Sequence, residues 1–164
     1  MTIETEGIGS LSTHASGATD SLTGNRMLAQ CWYRAFEQGD SALLEAILAN
    51  EWVDIPGSPD QAPGAAGAVR TMARLRAAFP DLRITIKDVL QDGDSVVVRS
   101  EMGGTQRGSF LGAPASGRTI AIQAIDIHEI RDGKIIRTWH SEDWMNGLRQ
   151  LGFFERMPAA ATGS

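Results

Sequence analysis

The sequence predicts an α+β fold, with three N-terminal helices packed on a strongly curved antiparallel sheet to form a cone-shaped barrel. Three observations predict it. Apolar residues before Pro80 recur at helical spacing, those from Leu82 onward alternate with polar ones, and the two longest alternating stretches meet at Asp132-Gly133, a two-residue hairpin signal. The 164 residues fit one domain, and 42% hydrophobic content is enough for one sizeable core.

Residues 1–22 are rich in Ser, Thr and Gly and carry no aromatic residue or periodicity. They offer too little apolar area to offset ordering of the backbone, so disorder is expected there. The domain is expected over residues 23–155 and a flexible tail over 156–164. Leu28, Trp32, Ala35 and Phe36 share one helical face, and Gly39 ends that helix. Asp40 or Ser41 can cap the next helix, whose face is Leu44, Ile47 and Leu48. Trp52-Val53-Asp54-Ile55 reads as extended, and Pro56-Gly57 stops it. After a loop to Gly67, a third helix presents Val69, Met72, Leu75 and Phe79 and stops at Pro80.

The period then becomes two. Leu82, Ile84 and Ile86 alternate with Arg83, Thr85 and Lys87, a strand with one wet face. Residues 91–94 form a turn, and residues 95–102 return as a strand that Gly103-Gly104 breaks. Residues 108–111 read as a short strand and 113–117 as a loop. Residues 119–131 form a long strand whose antiparallel partner is 134–143, and residues 144–151 close the domain as a short helix ending at Gly152. Long strands coil instead of staying flat, and a curved sheet beneath helices encloses a ready ligand pocket.

Charge and composition exclude several classes. Net charge is −5 with no basic block, so neither nucleic acid nor an anionic membrane surface is an expected partner. Cys31 stands alone, which rules out an intramolecular disulfide and a Cys-based zinc cluster. His14, His128 and His140 have no metal-ligand spacing, and no metal or cofactor is expected. Nothing resembles a signal h-region or a membrane span, so a cytoplasmic location is expected.

The second half of the chain carries an ordered series of landmarks. Phe79-Pro80-Asp81-Leu82, Ile84-Thr85-Ile86, Gly93-Asp94-Ser95-Val96-Val97-Val98-Arg99, Gly104-Thr105, Gly108, Phe110 and Gly112 come in succession. Asp132-Gly133-Lys134-Ile135, Trp139, Asp143 and Gln150-Leu151-Gly152 follow. Over residues 25–152 this resembles the SnoaL-like polyketide cyclases, or ester cyclases, of the nuclear transport factor 2-like superfamily. The resemblance implies a cone-shaped α+β barrel, a homodimer, and a hydrophobic polycyclic or terpenoid-like ligand. It also implies an intramolecular aldol closure of a polyketide ring without metal or organic cofactor. Its acid/base is a last-strand aspartate, carried over to Asp143. Related ester cyclases place histidines where this chain has Asp54, Gln106 and Thr138, and PPTG where it has Ala113-Pro114-Ala115-Ser116-Gly117.

Each candidate residue has two readings. Asp143 is a base on a strand where Trp139 and Ser141 share its parity, or the N-cap of the following helix. Asp126 and His128 leave one strand face together with Ile122, Ala124 and Ile130. If that face lines the hollow, desolvation raises the carboxyl pKa and makes a better base. If Ile125 and Ile127 face inward instead, the pair meets solvent or a second copy, and parity does not choose. Asp54 is a pocket-entrance group or a turn former. Trp32, Phe36, Trp52 and Trp139 are an aromatic wall for a flat ligand or plain core. Arg99 and Gln106 are expected in the pocket, whereas His140 is expected at the surface or an interface. Cys31 reads as a small buried hydrophobe, and His14 has no assigned role.

The leading expectation is a cofactor-free acid/base enzyme acting on a small hydrophobic metabolite. Asp143 removes a proton alpha to a carbonyl, and Asp126 or His128 donates to the developing oxyanion. Epoxide opening by Asp54, Asp126, Asp143 and Arg99, cofactor-independent hydroxylation, and a non-catalytic small-ligand-binding domain are the alternatives.

Overall fold

The computed structural model describes residues 13–58 and 60–156. In chain order it runs α1 (Thr13–Gln38), α2 (Ser41–Ile47), β1 (Leu48–Ile55), α3 (Ala65–Ala78), β2 (Arg83–Asp92), β3 (Ser95–Thr105), β4 (Thr119–Arg131), β5 (Lys134–Glu142) and α4 (Trp144–Gln150), then a 3-10 turn at Phe154–Arg156. Among the described residues the fold is α+β, with the strands in one sheet of order β1-β5-β4-β3-β2.

Helix α1 buries Ala29, Trp32, Tyr33, Ala35 and Phe36, a wider stripe than the four-residue face expected. It begins at Thr13, so residues 13–22, expected to be disordered, are helical. Once the docked turns exist, each residue added at the N-terminus gains a hydrogen bond without a new nucleus. Residues 1–12 of that expected segment, and 157–164 of the expected tail, lie outside the described residues. Gly39, at φ 74°, turns the chain. The Asp40 carboxylate then accepts from Leu43 N at 2.9 Å and caps α2.

Four expectations need correction. Leu48 does not extend α2: it is already extended and opens β1 four residues before Trp52. That strand runs parallel to β5, so the sheet is mixed and open, not antiparallel throughout. Pairing with β1 covers a β5 edge that would otherwise present unpaired backbone groups. Residues 108–111 form no strand. Phe110 and Ala113 make only an isolated bridge, because Leu111 (φ 48°) and Gly112 (φ 77°) turn the chain between them. Conversely, β3 continues through Gly103-Gly104 to Thr105, whose N–H and hydroxyl both donate to Asp81 at 2.7 Å.

Besides the irregular pairing between Leu48 and Val53 of β1, two register shifts shape the sheet. The first, between Ile86 and Asp88 of β2, reverses which parity faces inward. Ile84, Ile86 and Val89 therefore pack on the core, and Leu90 is 65% exposed. The second lies between Glu129 and Ile130 of β4, opposite β5. The helices α1 and α3 cover the inner face, with α4 at the β4 end, and the space between them is not filled.

Candidate active site

Along β4 the even-numbered residues from Ile120 to Ile130 are buried, and Ile125 and Ile127 are 39% and 37% exposed. The inner face is therefore the one that carries Asp126 and His128. The flanking strands extend it into polar rungs: Asp126 stands between Val98 and His140, Ala124 between Ser100 and Glu142, and His128 between Val96 and Thr138. Above them lies a cavity of about 490 Å³. Trp32, Phe36 and Trp52 wall one side and Phe110 and Trp144 another, while Asp54, Ser100, Asp126, His140 and Glu142 supply polar atoms. Trp32 lies 4.8 Å from Phe36 and 5.5 Å from Trp52 between ring centroids, so the expected aromatic wall exists without Trp139.

Asp126 is 6% exposed, and its Oδ2 accepts the Tyr33 hydroxyl at 2.7 Å. Burial raises its pKa to about 6. The Tyr33 bond and His140 pull it down, and the Glu142 and Asp54 carboxylates push it up. Burial and Asp126 together hold the Tyr33 phenol well above its usual range, so its proton stays in place.

Behind this pair the donors fall into a single order. Tyr33 has one proton and gives it to Asp126, so at 3.2 Å from His128 Nε2 its oxygen can only accept. His128 is fully buried, and desolvation lowers its pKa to about 3, which keeps it neutral. With Nε2 protonated, Nδ1 is bare and takes the Thr138 hydroxyl proton at 3.1 Å. Thr138 Oγ1 in turn accepts from Trp52 Nε1, a donor only, at 3.1 Å. The chain Trp52→Thr138→His128→Tyr33→Asp126 thus uses each proton once and ends on Oδ2. Among the described residues, no donor reaches the other oxygen, Oδ1, which leaves it to the cavity.

A second group sits beside it. His140 Nε2 is 3.0 Å from Pro56 O and 3.3 Å from Asp54, and Nδ1 is 3.0 Å from Glu142. The Glu142 bond, followed by the two carboxylate charges, raises the His140 pKa to about 9 against the opposing effect of burial. At neutral pH it is an imidazolium held between two carboxylates. Asp54 also accepts from Gln61 at 2.7 Å, and burial raises its pKa.

Several sequence expectations are corrected here. The Asp143 carboxylate accepts from Asn146 N at 3.1 Å, caps α4, and does not line the cavity. Arg99 lies on the outer face, paired with Asp88 at 2.6 Å. Gln106 is fully buried but structural: Nε2 donates to Ala113 O, and Oε1 accepts from both Ser116 N and Oγ, pinning the loop. Trp139 is 36% exposed on the outer face beneath Arg137. His128 lies behind the cavity wall instead of on it, as a partner of Tyr33. His140, expected at the surface, lines the cavity. Beyond the register shift, which leaves Ile136 without a partner, the inward residues of β5 are Thr138, His140 and Glu142, so Trp139 faces outward with the parity it shares with Asp143. Cys31 is half-buried against the core.

Tyr33, Ser100 and Glu142 were not among the expected site residues. The signal for Tyr33 was Ala29, Tyr33 and Phe36 at i, i+4, i+7, a second row beside the Trp32 row. Among the described residues no group of three or more His, Cys, Asp or Glu side chains is arranged to hold a metal ion. No described helix is long and apolar enough to cross a membrane.

Comparison with known proteins gives a family model described as SnoaL-like polyketide cyclase, matching residues 25–151. Among solved structures, TsrD from Streptomyces laurentii is 32% identical with a TM-score of 0.74, over 79% of this chain and 96% of that one. IdmH from Streptomyces antibioticus, a proposed polyketide cyclase, is 29% identical with a TM-score of 0.68, over 78% and 98%. AclR from Streptomyces galilaeus, a proposed hydroxylase, has a TM-score of 0.70 over 83% and 85%, and at 23% identity shares the fold alone. Among curated proteins no match is found.

Proposed function

The chain belongs to the SnoaL-like polyketide cyclase family, and we propose that it closes a ring in a small hydrophobic carbonyl compound with Asp126 as its acid/base. The observation that carries this reading is a buried carboxyl of pKa about 6 with one oxygen held by Tyr33 and the other open to an apolar cavity. A base with a pKa near the operating pH combines the ionised form with useful proton affinity. The Asp126 carboxylate takes a proton alpha to a carbonyl, and the resulting enolate attacks a second carbonyl of the same molecule, forming the C–C bond. The new alkoxide then recovers the proton from Asp126. Atoms are conserved, so the step as written consumes no cofactor. Holding a flexible polyketide in its reactive conformer can contribute about 7–11 kcal/mol, and the aromatic walls offer the flat contact for it.

The implied homodimer has a candidate surface in the outer sheet face. There Val53, Ile125, Ile127 and Trp139 are each at least 36% exposed, with Ile127 directly opposite Trp139. A second copy burying this patch would cover it.

The experiment is incubation with an aromatic polyketide ester and, separately, a terpenoid epoxide, with and without oxygen, and with products resolved by chromatography before their masses are read. Ring closure without a mass change, lost in Asp126→Asn while ligand binding persists, is the expected result. Full activity in Asp126→Asn overturns the assignment. Gain of water by the epoxide, gain of oxygen, or binding without turnover would replace it with epoxide opening, hydroxylation or a binding role.

A further inference from the structure

Ser100 has no part in the hydrogen-bond chain, yet it is 1% exposed and lines the cavity. Among the described residues its hydroxyl meets no protein partner. It is not sealed in, since among the described residues the only sealed side-chain atom without a partner is Gln91 Oε1. The hydroxyl therefore opens onto the same space as Asp126 Oδ1.

The other buried donors there are already committed. Tyr33 gives its proton to Asp126, Trp52 gives its N–H to Thr138, and His140 is held by Pro56, Asp54 and Glu142. Ser58 and Ser109 are exposed at the rim, and Thr71 is only half-buried, beside Arg74. Trp144 stacks on Phe110 at 4.6 Å on the α4 side.

Placement completes the argument. Ser100 is the register partner of Ala124, two residues from Asp126 on the same face. Such diagonal neighbours stand about 7–8 Å apart at Cα, with side chains converging on one volume. An α-C–H beside a carbonyl, with a base at the hydrogen and a hydroxyl at the oxygen, spans a comparable distance.

We propose that Ser100 Oγ–H holds the substrate's carbonyl oxygen and stabilises the enolate, which makes the substrate class an enolisable ketone or ester. The proposal rests on the reading of Asp126 as the base. In the step, the α-C–H bond breaks and its proton passes to Asp126 Oδ1. The released pair forms the C=C bond, and the carbonyl π pair moves onto the oxygen facing Ser100. Ser100 keeps its proton throughout. The groups facing Asp126 in this step are the neutral Tyr33 hydroxyl from α1 and the charged or titratable Asp54 from β1 and His140 and Glu142 from β5, with Arg74 of α3 at the rim.

The test uses 2-tetralone, a bicyclic ketone with exchangeable α-hydrogens, in two measurements. The first is the carbonyl stretch of the bound ketone. It is expected to fall to lower frequency in the wild type and in Asp126→Asn, to return to the unbonded value in Ser100→Ala, and to fall again in Ser100→Thr. The second is α-hydrogen exchange in deuterium oxide, expected to be lost in Asp126→Asn and slowed about a hundredfold in Ser100→Ala, as for removal of an oxyanion donor. A stretch unshifted in the wild type, or equal in wild type and Ser100→Ala, overturns the Ser100 proposal. Exchange that survives Asp126→Asn overturns the base reading instead, and leaves the stretch to decide on Ser100. Ser100→Ala removes one atom from a strand, and matching circular dichroism confirms that the fold is kept.

Discussion

Replacing Asp126 with Asn should make the protein inactive but more stable, and by an amount that depends on pH. The native carboxyl titrates near pH 6, against a usual value of 3.8. Between those values the folded state holds more protons than the unfolded chain, so stability falls as pH rises through the window. Two pKa units correspond to about 3 kcal/mol, carried in full above pH 6 as the cost of an ionised buried carboxylate. Asn keeps an oxygen for the Tyr33 hydroxyl and has no charge to bury. Asp126→Asn should therefore exceed the wild type by about 3 kcal/mol at pH 8, by about half that at pH 5, and by almost nothing near pH 3. Urea unfolding of both proteins at each pH measures it. His140, Asp54 and Tyr33 remain in both chains, so their contributions largely cancel in the difference. A stability difference that does not change between pH 5 and 8 would refute the buried charge and, with it, the tuned base.

Tyr33→Phe removes the bond that lowers the Asp126 pKa, so a carboxyl-carbon NMR titration should place the Asp126 midpoint above that of the wild type. The acid limb of any activity profile should move to higher pH with it. The ring nitrogens of His128 should report a neutral imidazole protonated on Nε2 between pH 5 and 8. Nitrogen-15 shifts showing an Nδ1–H ring would break the proposed donor order. Thr138→Val leaves the Trp52 N–H and His128 Nδ1 without partners and should lower stability by about 2–6 kcal/mol, at roughly 1–3 per group, in urea unfolding. Gly108→Ala would set a methyl 2.6 Å from Ala77 O. It should destabilise by about 1–3 kcal/mol through backbone displacement, seen as a lower melting temperature.

The helices and strands were legible because each has its own period, and the Asp40 and Gly39 boundaries have local chemistry. The family was legible from the ordered series of turn and strand residues. The inner face of β4 was not, because Ile122, Asp126, His128 and Ile130 make one credible face and Ile125 with Ile127 another. Only packing against α1 separates them. β5 misled because its parity was anchored on Asp143: alternation then turns Trp139 inward and His140 outward, and the unpaired Ile136 that sets the true parity has no signature in the composition of the hairpin. Asp143 shows the opposite case, in which the local reading, a carboxylate just before a helix, was sufficient by itself. Tyr33 and Ser100 escaped because their importance lies in what their hydroxyls meet across the fold, which spacing along one chain does not encode.

The route from Trp52 to Asp126 runs through β1, β5, β4 and α1, so the seating of the first helix and the acidity of the carboxyl are not independent properties. Lifting α1 would withdraw the Tyr33 hydroxyl and admit water at once, two changes that act on the same proton in opposite directions. A guest that presses on Trp32 or Phe36 leans on the very helix that sets the strength of the base it meets. Occupancy and proton affinity are thereby geared together, with the indole and the phenol as the teeth.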